Sequence, residues 1–215
     1  MKQTTYFYDS LRRLVISPTA RIIVTLIGGS LMNLLYIATN AASAFLYHSI
    51  WSATLTVYHL VLIIIRIYLL LAGRNLTDRG GEKRICLRVG ILLLLFDVAS
   101  ALIIIYSVRN ASFVSYSGYI FMGFLAFTVY SVARSVRDLR KHSDGENHLY
   151  YTARNITLAT SLMSVFNLQY SFFSFLGADS ILMIRAILFC GVSVFSIILV
   201  LSVRLMKRGS RADFR

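Results

Sequence analysis

Residues 86–108 read CLRVGILLLLFDVASALIIIYSV, an apolar run interrupted by Arg88 near its start and Asp97 in its middle. A helix that crosses a membrane needs about 20 mainly apolar residues. Further apolar runs of this length occur at about 22–47, 50–73, 114–136, 153–176 and 181–204. Because backbone N–H and C=O groups in hydrocarbon must hydrogen-bond to each other, these segments predict an all-α, polytopic bundle of six transmembrane helices.

The composition supports the same fold class. Hydrophobic residues make up 57% of the 215 residues, charged residues make up 14%, and the mean hydropathy is +0.70. A soluble domain usually has about a quarter charged residues. The composition therefore excludes an ordinary soluble domain, a disordered chain and a disulfide-rich scaffold.

The distribution of basic residues predicts the orientation of the six helices. Of the 22 lysines and arginines, 19 lie in or beside the N-terminal segment, the C-terminal tail and the loops after the second and fourth spans. By the positive-inside rule, both termini are cytoplasmic, in an inner or plasma membrane. The predicted organisation is an interfacial N-terminal segment at 1–18, a transmembrane domain at 19–208 and a basic tail at 209–215.

The net charge of +13 follows from this topology. It favours contacts with anionic lipid headgroups. Nucleic acid is not expected as a partner, because the basic residues are scattered over four short segments without a recognisable binding module.

Two kinds of segment lie outside the predicted spans. Phe7, Leu11, Leu14 and Val15 have helical spacing, which predicts either a short helix on the inner leaflet or a frayed terminus. The stretches at 74–85 and 141–150 contain Gly, Asp, Glu, Asn and basic residues, and they predict cytoplasmic loops.

Two charged residues are predicted to lie close to the centre of the membrane. Asp97 is nine residues beyond Arg88, and Arg66 is eight residues before Arg74, so both lie about 12–13 Å from the inner edge. Because the second and third helices are antiparallel neighbours, we expect an ion pair between Arg66 and Asp97. The alternatives are that Arg66 extends to the inner headgroups and that Asp97 is protonated and bonded to a neighbouring helix.

A polar stripe is predicted along the second span. At 100° per residue, His48, Ser52, His59 and Arg66 fall within a narrow arc. Histidine changes its charge near neutral pH, so the stripe predicts a solute or proton pathway. The other interpretation places His48 at the interface and His59 in a hydrogen-bonded helix seam.

Uncharged polar residues on other spans complete the predicted network. Asn33 and Asn40 share one side of the first span, Ser100 lies beside Asp97 on the third, and Asn167 lies on the fifth. These faces are expected to meet around a common centre formed by spans one, two, three and five. That centre is either a solvated cavity or a dry interior joined by interhelical hydrogen bonds.

Several classes of chemistry have no counterpart in the sequence. There is no P-loop, no His-Glu-x-x-His motif and no Gly-x-Ser-x-Gly motif. The spans contain no pair of carboxylates and no His/Cys cluster with metal-ligand spacing. We therefore expect no enzyme activity, no cofactor and no metal.

Three functions remain open at this level, and the last of them, an intramembrane enzyme that acts on lipid, has no reactive constellation in the sequence to support it. The first is movement of a small polar or anionic solute through a cavity between spans one, two, three and five, alone or as the membrane subunit of a larger transporter. The second is a scaffold, assembly or regulatory subunit whose polar faces are packing seams. The expected partners are the lipid bilayer, a small solute, and a protein partner or a second copy of the chain.

Overall fold

The computed structural model describes residues 18–75, 79–109, 118–140, 148–176 and 181–210, and these residues form six helices. The helices are α1 (Pro18–Tyr47), α2 (Ile50–Asn75), α3 (Arg79–Arg109), α4 (Gly118–Arg140), α5 (His148–Phe175) and α6 (Ile181–Ser210). Each corresponds to one of the six apolar segments of the sequence. The all-α fold class is therefore confirmed for the part of the chain that the structure describes.

The helix ends differ from the predicted segments at the loops after the second and fourth helices. α3 begins at Arg79 and α5 at His148, so the predicted loops at 74–85 and 141–150 are wrong at their C-terminal ends. Glu82 lies in the first turn of α3, where a carboxylate stabilises a helix N-terminus. The predicted interfacial helix at Phe7–Val15 lies outside the described residues.

Four of the six helices are long and apolar enough to cross a membrane. They are α2 (Ile50–Ala72), α3 (Gly80–Tyr106), α4 (Gly118–Asp138) and α6 (Ile181–Ser210). Large apolar side chains such as Ile64, Leu102 and Leu199 are exposed on these helices. Such an apolar outer surface suits hydrocarbon better than water. These features indicate an integral membrane protein.

α5 lies at the centre of the bundle, because it contacts each of the other five helices. Apolar and polar residues on several of its sides are buried, including Asn155, Ile156, Thr157 and Ala159. A helix that is covered by protein does not need an apolar surface. This position explains how α5 can carry buried polar residues along much of its length.

The most extensive helix pair is formed by α3 and α6, which are antiparallel. At Gly90, a Cβ atom would lie 3.0 Å from both the Met206 nitrogen and the Ser202 carbonyl oxygen. Glycine therefore allows the two backbones to approach closely, as is typical of helix pairs in membranes. The other main neighbours in space are the consecutive pairs α1–α2 and α4–α5.

Candidate solute-binding site

The guanidinium group of Arg66 is enclosed between α1, α2 and α5. Arg66 is 1% exposed, and its Nη2 donates a hydrogen bond to the Thr160 hydroxyl oxygen at 3.4 Å. A Cβ atom at Gly29 would overlap this guanidinium group. The absence of a side chain at Gly29 is thus what makes room for the charge inside the bundle.

A second guanidinium group reaches the same region from α4. Arg134 lies against α1, because a Cβ at Gly28 would be 3.0 Å from its Nη1. Its Nε lies 4.0 Å from the Asp138 Oδ2, one helical turn further on. Arg66 is repelled by Arg134 and attracted by Asp138. Within the described residues, two cations and one carboxylate therefore share this part of the bundle.

Asn33 adds an amide group to the two guanidinium groups. It is fully buried on α1, and neither its Nδ2 nor its Oδ1 has a hydrogen-bond partner within the described residues. It lines a small space together with Arg66, Arg134, Ser131 and Thr157. The volume of this space is about 10 Å³, which is roughly the room that one water molecule needs. We call Gly29, Asn33, Arg66, Arg134 and Thr160 the arginine cluster.

A hydrogen-bonded aromatic layer adjoins the arginine cluster. The Trp51 Nε1 donates to the Asn167 Oδ1 at 3.1 Å, and the Asn167 Nδ2 donates to the Tyr36 hydroxyl oxygen. The Tyr36 ring packs on the His59 ring with centroids 4.3 Å apart. Asn40, one turn beyond Tyr36, donates from its Nδ2 to the Tyr36 carbonyl oxygen at 2.9 Å. This layer joins α1, α2 and α5.

The hydrogen bond of His59 fixes the roles of its ring nitrogens. Its Nδ1 lies 2.8 Å from the Leu55 carbonyl oxygen. A carbonyl oxygen can only accept, so Nδ1 carries a hydrogen. The Nε2 is buried and has no hydrogen-bond partner within the described part of the chain. His59 is therefore hydrogen-bonded within α2 and packed against Tyr36 of α1.

Replacing Asn167 with leucine should destabilise the protein through this layer. The variant leaves the buried Trp51 indole without its acceptor, and we expect a loss of about 1–3 kcal/mol in the free energy of unfolding. Because the chain contains one tryptophan, its fluorescence emission should also shift. Asn155→Leu is the matched control, since the Asn155 Nδ2 bonds to a carbonyl of its own helix at 2.7 Å. An unchanged Trp51 emission in Asn167→Leu would contradict the described bond.

Asp97 does not lie in the arginine cluster. It is 2% exposed on α3, and it lines a cleft between α3 and α6. Within the described residues it forms no ion pair, and its Oδ1 has no hydrogen-bond partner. The predicted ion pair between Arg66 and Asp97 is therefore wrong. The physical reason is the helix period: Asp97 follows Gly90 by seven residues, so both lie on the side of α3 that faces α6.

Two further residues of the predicted network lie apart from the arginine cluster. His48 is exposed in the turn between α1 and α2, with a φ angle of 49°, so it does not extend the stripe of α2. Ser100 is buried one turn after Asp97 on α3. The polar centre is formed by α1, α2, α4 and α5, with α4 in the place predicted for the third span.

Arg134 and Asp138 are the site residues that the sequence interpretation missed. Arg134 was counted among the basic residues that flank the inner membrane surface. A signal was nevertheless present, because Ser131, Arg134, Ser135 and Asp138 form an i, i+3, i+4, i+7 pattern. Such spacing places them on one side of a helix.

The chain has no match among known protein families, and no similar sequence was found among curated proteins. The function therefore has to be inferred from the arginine cluster and its surroundings. The firm conclusion from the fold is that helices apolar enough to cross a membrane surround a polar, partly cationic interior.

Proposed function

We propose that this protein is a six-span membrane protein with both termini in the cytoplasm, and that it binds and moves a small anion. The antiparallel packing of α1 with α2 and of α4 with α5 supports the six-span arrangement. The strong bias of basic residues to alternate loops supports the orientation. An inner or plasma membrane is the proposed location. There the protein would be in contact with the lipids of the bilayer.

The observation that carries the proposal is the arginine cluster. Removing a guanidinium group from water is costly, and a charge inside a bundle usually marks a pathway or a binding site. Here two guanidinium groups lie next to one carboxylate and an amide whose hydrogen-bonding atoms are unsatisfied. An anion between them would lower the electrostatic cost and would accept hydrogen bonds from the Asn33 Nδ2.

The small volume of the space limits the solute. About 10 Å³ beside Arg66 is roughly the room for one water molecule, so the space has to widen to hold a small anion and is far too small for a sugar or a nucleotide. Passage of an anion then requires a movement of helices on either side of the cluster. We expect this movement at the contact between α1 and α4, because that contact is much less extensive than the contact of α1 with α2.

Anion flux from liposomes tests this proposal. The purified protein is reconstituted in phosphatidylcholine vesicles that are loaded with chloride, nitrate or formate, and efflux is followed with valinomycin present to balance charge. We expect saturable efflux of at least one anion. Arg66→Gln should slow it about tenfold or more, because a hydrogen bond to a charged group is worth about 1.5–3 kcal/mol.

Arg204→Gln is the matched control, because Arg204 is exposed on α6 and the substitution removes the same charge. Its efflux should equal that of the unchanged protein. Efflux that is absent for all three anions, or equal in Arg66→Gln and Arg204→Gln, would reject anion movement.

A specific observation favours a second candidate function. The polar centre is nearly filled, and the close approach of α3 to α6 and the Trp51–Asn167–Tyr36 hydrogen bonds resemble packing seams. In a membrane scaffold or assembly subunit, the arginine cluster would stabilise the packing of the helices. In that case Arg66→Gln lowers the thermal stability and no anion efflux is found in any variant.

A further inference from the structure

The cleft between α3 and α6 is apolar and opens on the outer surface of the bundle. Its volume is about 290 Å³, and thirteen residues from 97–105 and 187–199 line it. Ile104, Ile187 and Phe195 are buried at its base, whereas Leu102 and Val192 are exposed at its rim. Both helices are membrane-spanning candidates, so in a bilayer this opening would face the hydrocarbon.

The cleft contains one ionisable side chain. Among the lining residues, Asp97 and Ser196 are the two with polar side chains. Asp97 is 2% exposed, and its Oδ1 is buried without a hydrogen-bond partner within the described residues. A buried carboxylate oxygen without a donor is costly in an apolar environment. A ligand that supplies a donor at this point would remove that cost.

We propose that this cleft binds a small lipophilic amine that enters from the membrane. The apolar body of the ligand packs against Ile104, Ile187 and Phe195, and its ammonium group donates a hydrogen bond to the Asp97 Oδ1. This site is separate from the arginine cluster, and it selects the opposite charge.

Size and charge together identify this class of ligand. A volume of about 290 Å³ is at the lower end of the range of small-molecule sites, which is about 300–1,000 Å³. A partner helix would need a longer groove than this one, which six residues of α3 line over the short stretch 97–105. A carboxylate in an apolar site favours a cation and disfavours an anion. A compact amine satisfies both conditions.

Direct binding to the full-length protein in phosphatidylcholine nanodiscs tests the proposal. The probe is tritiated adamantan-1-amine, measured by scintillation proximity, with binding to empty nanodiscs subtracted. We expect saturable binding that unlabelled adamantan-1-amine displaces and that adamantane-1-carboxylate does not. Asp97→Asn should weaken the affinity about tenfold or more, since a charged hydrogen bond is lost.

A second pair of variants keeps the test independent of Asp97. Ser196→Leu fills the cleft from its rim, whereas Ser193→Leu adds the same side chain to an exposed position of α6 outside the cleft. Ser196→Leu should abolish the binding and Ser193→Leu should leave it unchanged. The proposal is overturned if the unchanged protein shows no saturable binding. It is also overturned if Asp97→Asn, Ser196→Leu and Ser193→Leu all bind the amine with the affinity of the unchanged protein.

Discussion

Gly90→Leu should separate α3 from α6 and lower the free energy of unfolding by about 3 kcal/mol, the upper part of the usual range for overpacking. Even a Cβ at this position would lie 2.8 Å from the Met206 Cγ and 3.0 Å from the Met206 nitrogen. A helix backbone cannot move locally, so the whole contact between the two helices has to open. The measurement is unfolding by SDS titration from mixed micelles.

Ala99→Leu is the matched control for Gly90→Leu, because it adds apolar volume to an exposed position of the same helix. It should change the stability little. If the two variants unfold at the same SDS fraction, the close α3–α6 approach is not a main source of stability.

Gly29→Leu should have an effect of similar size, but through the arginine cluster. A side chain at Gly29 would occupy the space of the Arg66 guanidinium group, and Arg66 is enclosed on all sides. We expect a loss of about 3 kcal/mol in the free energy of unfolding. Anion efflux should be lost even under conditions where the variant remains folded. The measurements are SDS titration and the liposome assay.

Gly123→Leu makes the same substitution at a glycine whose Cβ would meet no atom within 4 Å. Because glycine is unfavourable inside a helix, this variant should be unchanged or stabilised by up to about 1 kcal/mol. Equal destabilisation of both variants would show that loss of glycine itself, and not the enclosed Arg66, causes the effect.

The sequence was sufficient to place the helices because hydropathy is a local property. A run such as 86–108 is apolar whatever it packs against, so six segments could be located without knowing their neighbours. The orientation of each helix about its own axis is not a local property, because it depends on which helix lies beside it. Asp97 illustrates this: its depth could be predicted, but its side of α3 follows from the non-consecutive pairing with α6.

The candidate site was predicted in part for the same reason. Asn33, His59, Arg66 and Asn167 were identified from their spacing, and all four are buried. Arg134 was missed because basic residues near the inner membrane surface are expected on any helix. Its approach to Arg66 depends on Gly28 and Gly29 of α1, and no pattern within α4 alone could reveal that contact.

α5 provides a physical link between the arginine cluster and the cleft. Thr160 accepts a hydrogen bond from Arg66, and Phe166 packs on Phe195 with centroids 5.7 Å apart. A shift of α5 would therefore alter both places at once. We expect adamantan-1-amine to change the rate of anion efflux in the unchanged protein and to have no such effect in Ser196→Leu.

Crystals soaked in bromide would locate an anion bound between Arg66 and Arg134. Anomalous scattering should show one strong bromide peak inside the bundle, in contact with both guanidinium groups and with the Asn33 Nδ2. That peak should be absent from crystals of Arg66→Gln. Bromide found only at exposed arginines, with the space beside Asn33 dry or holding water, would contradict the account.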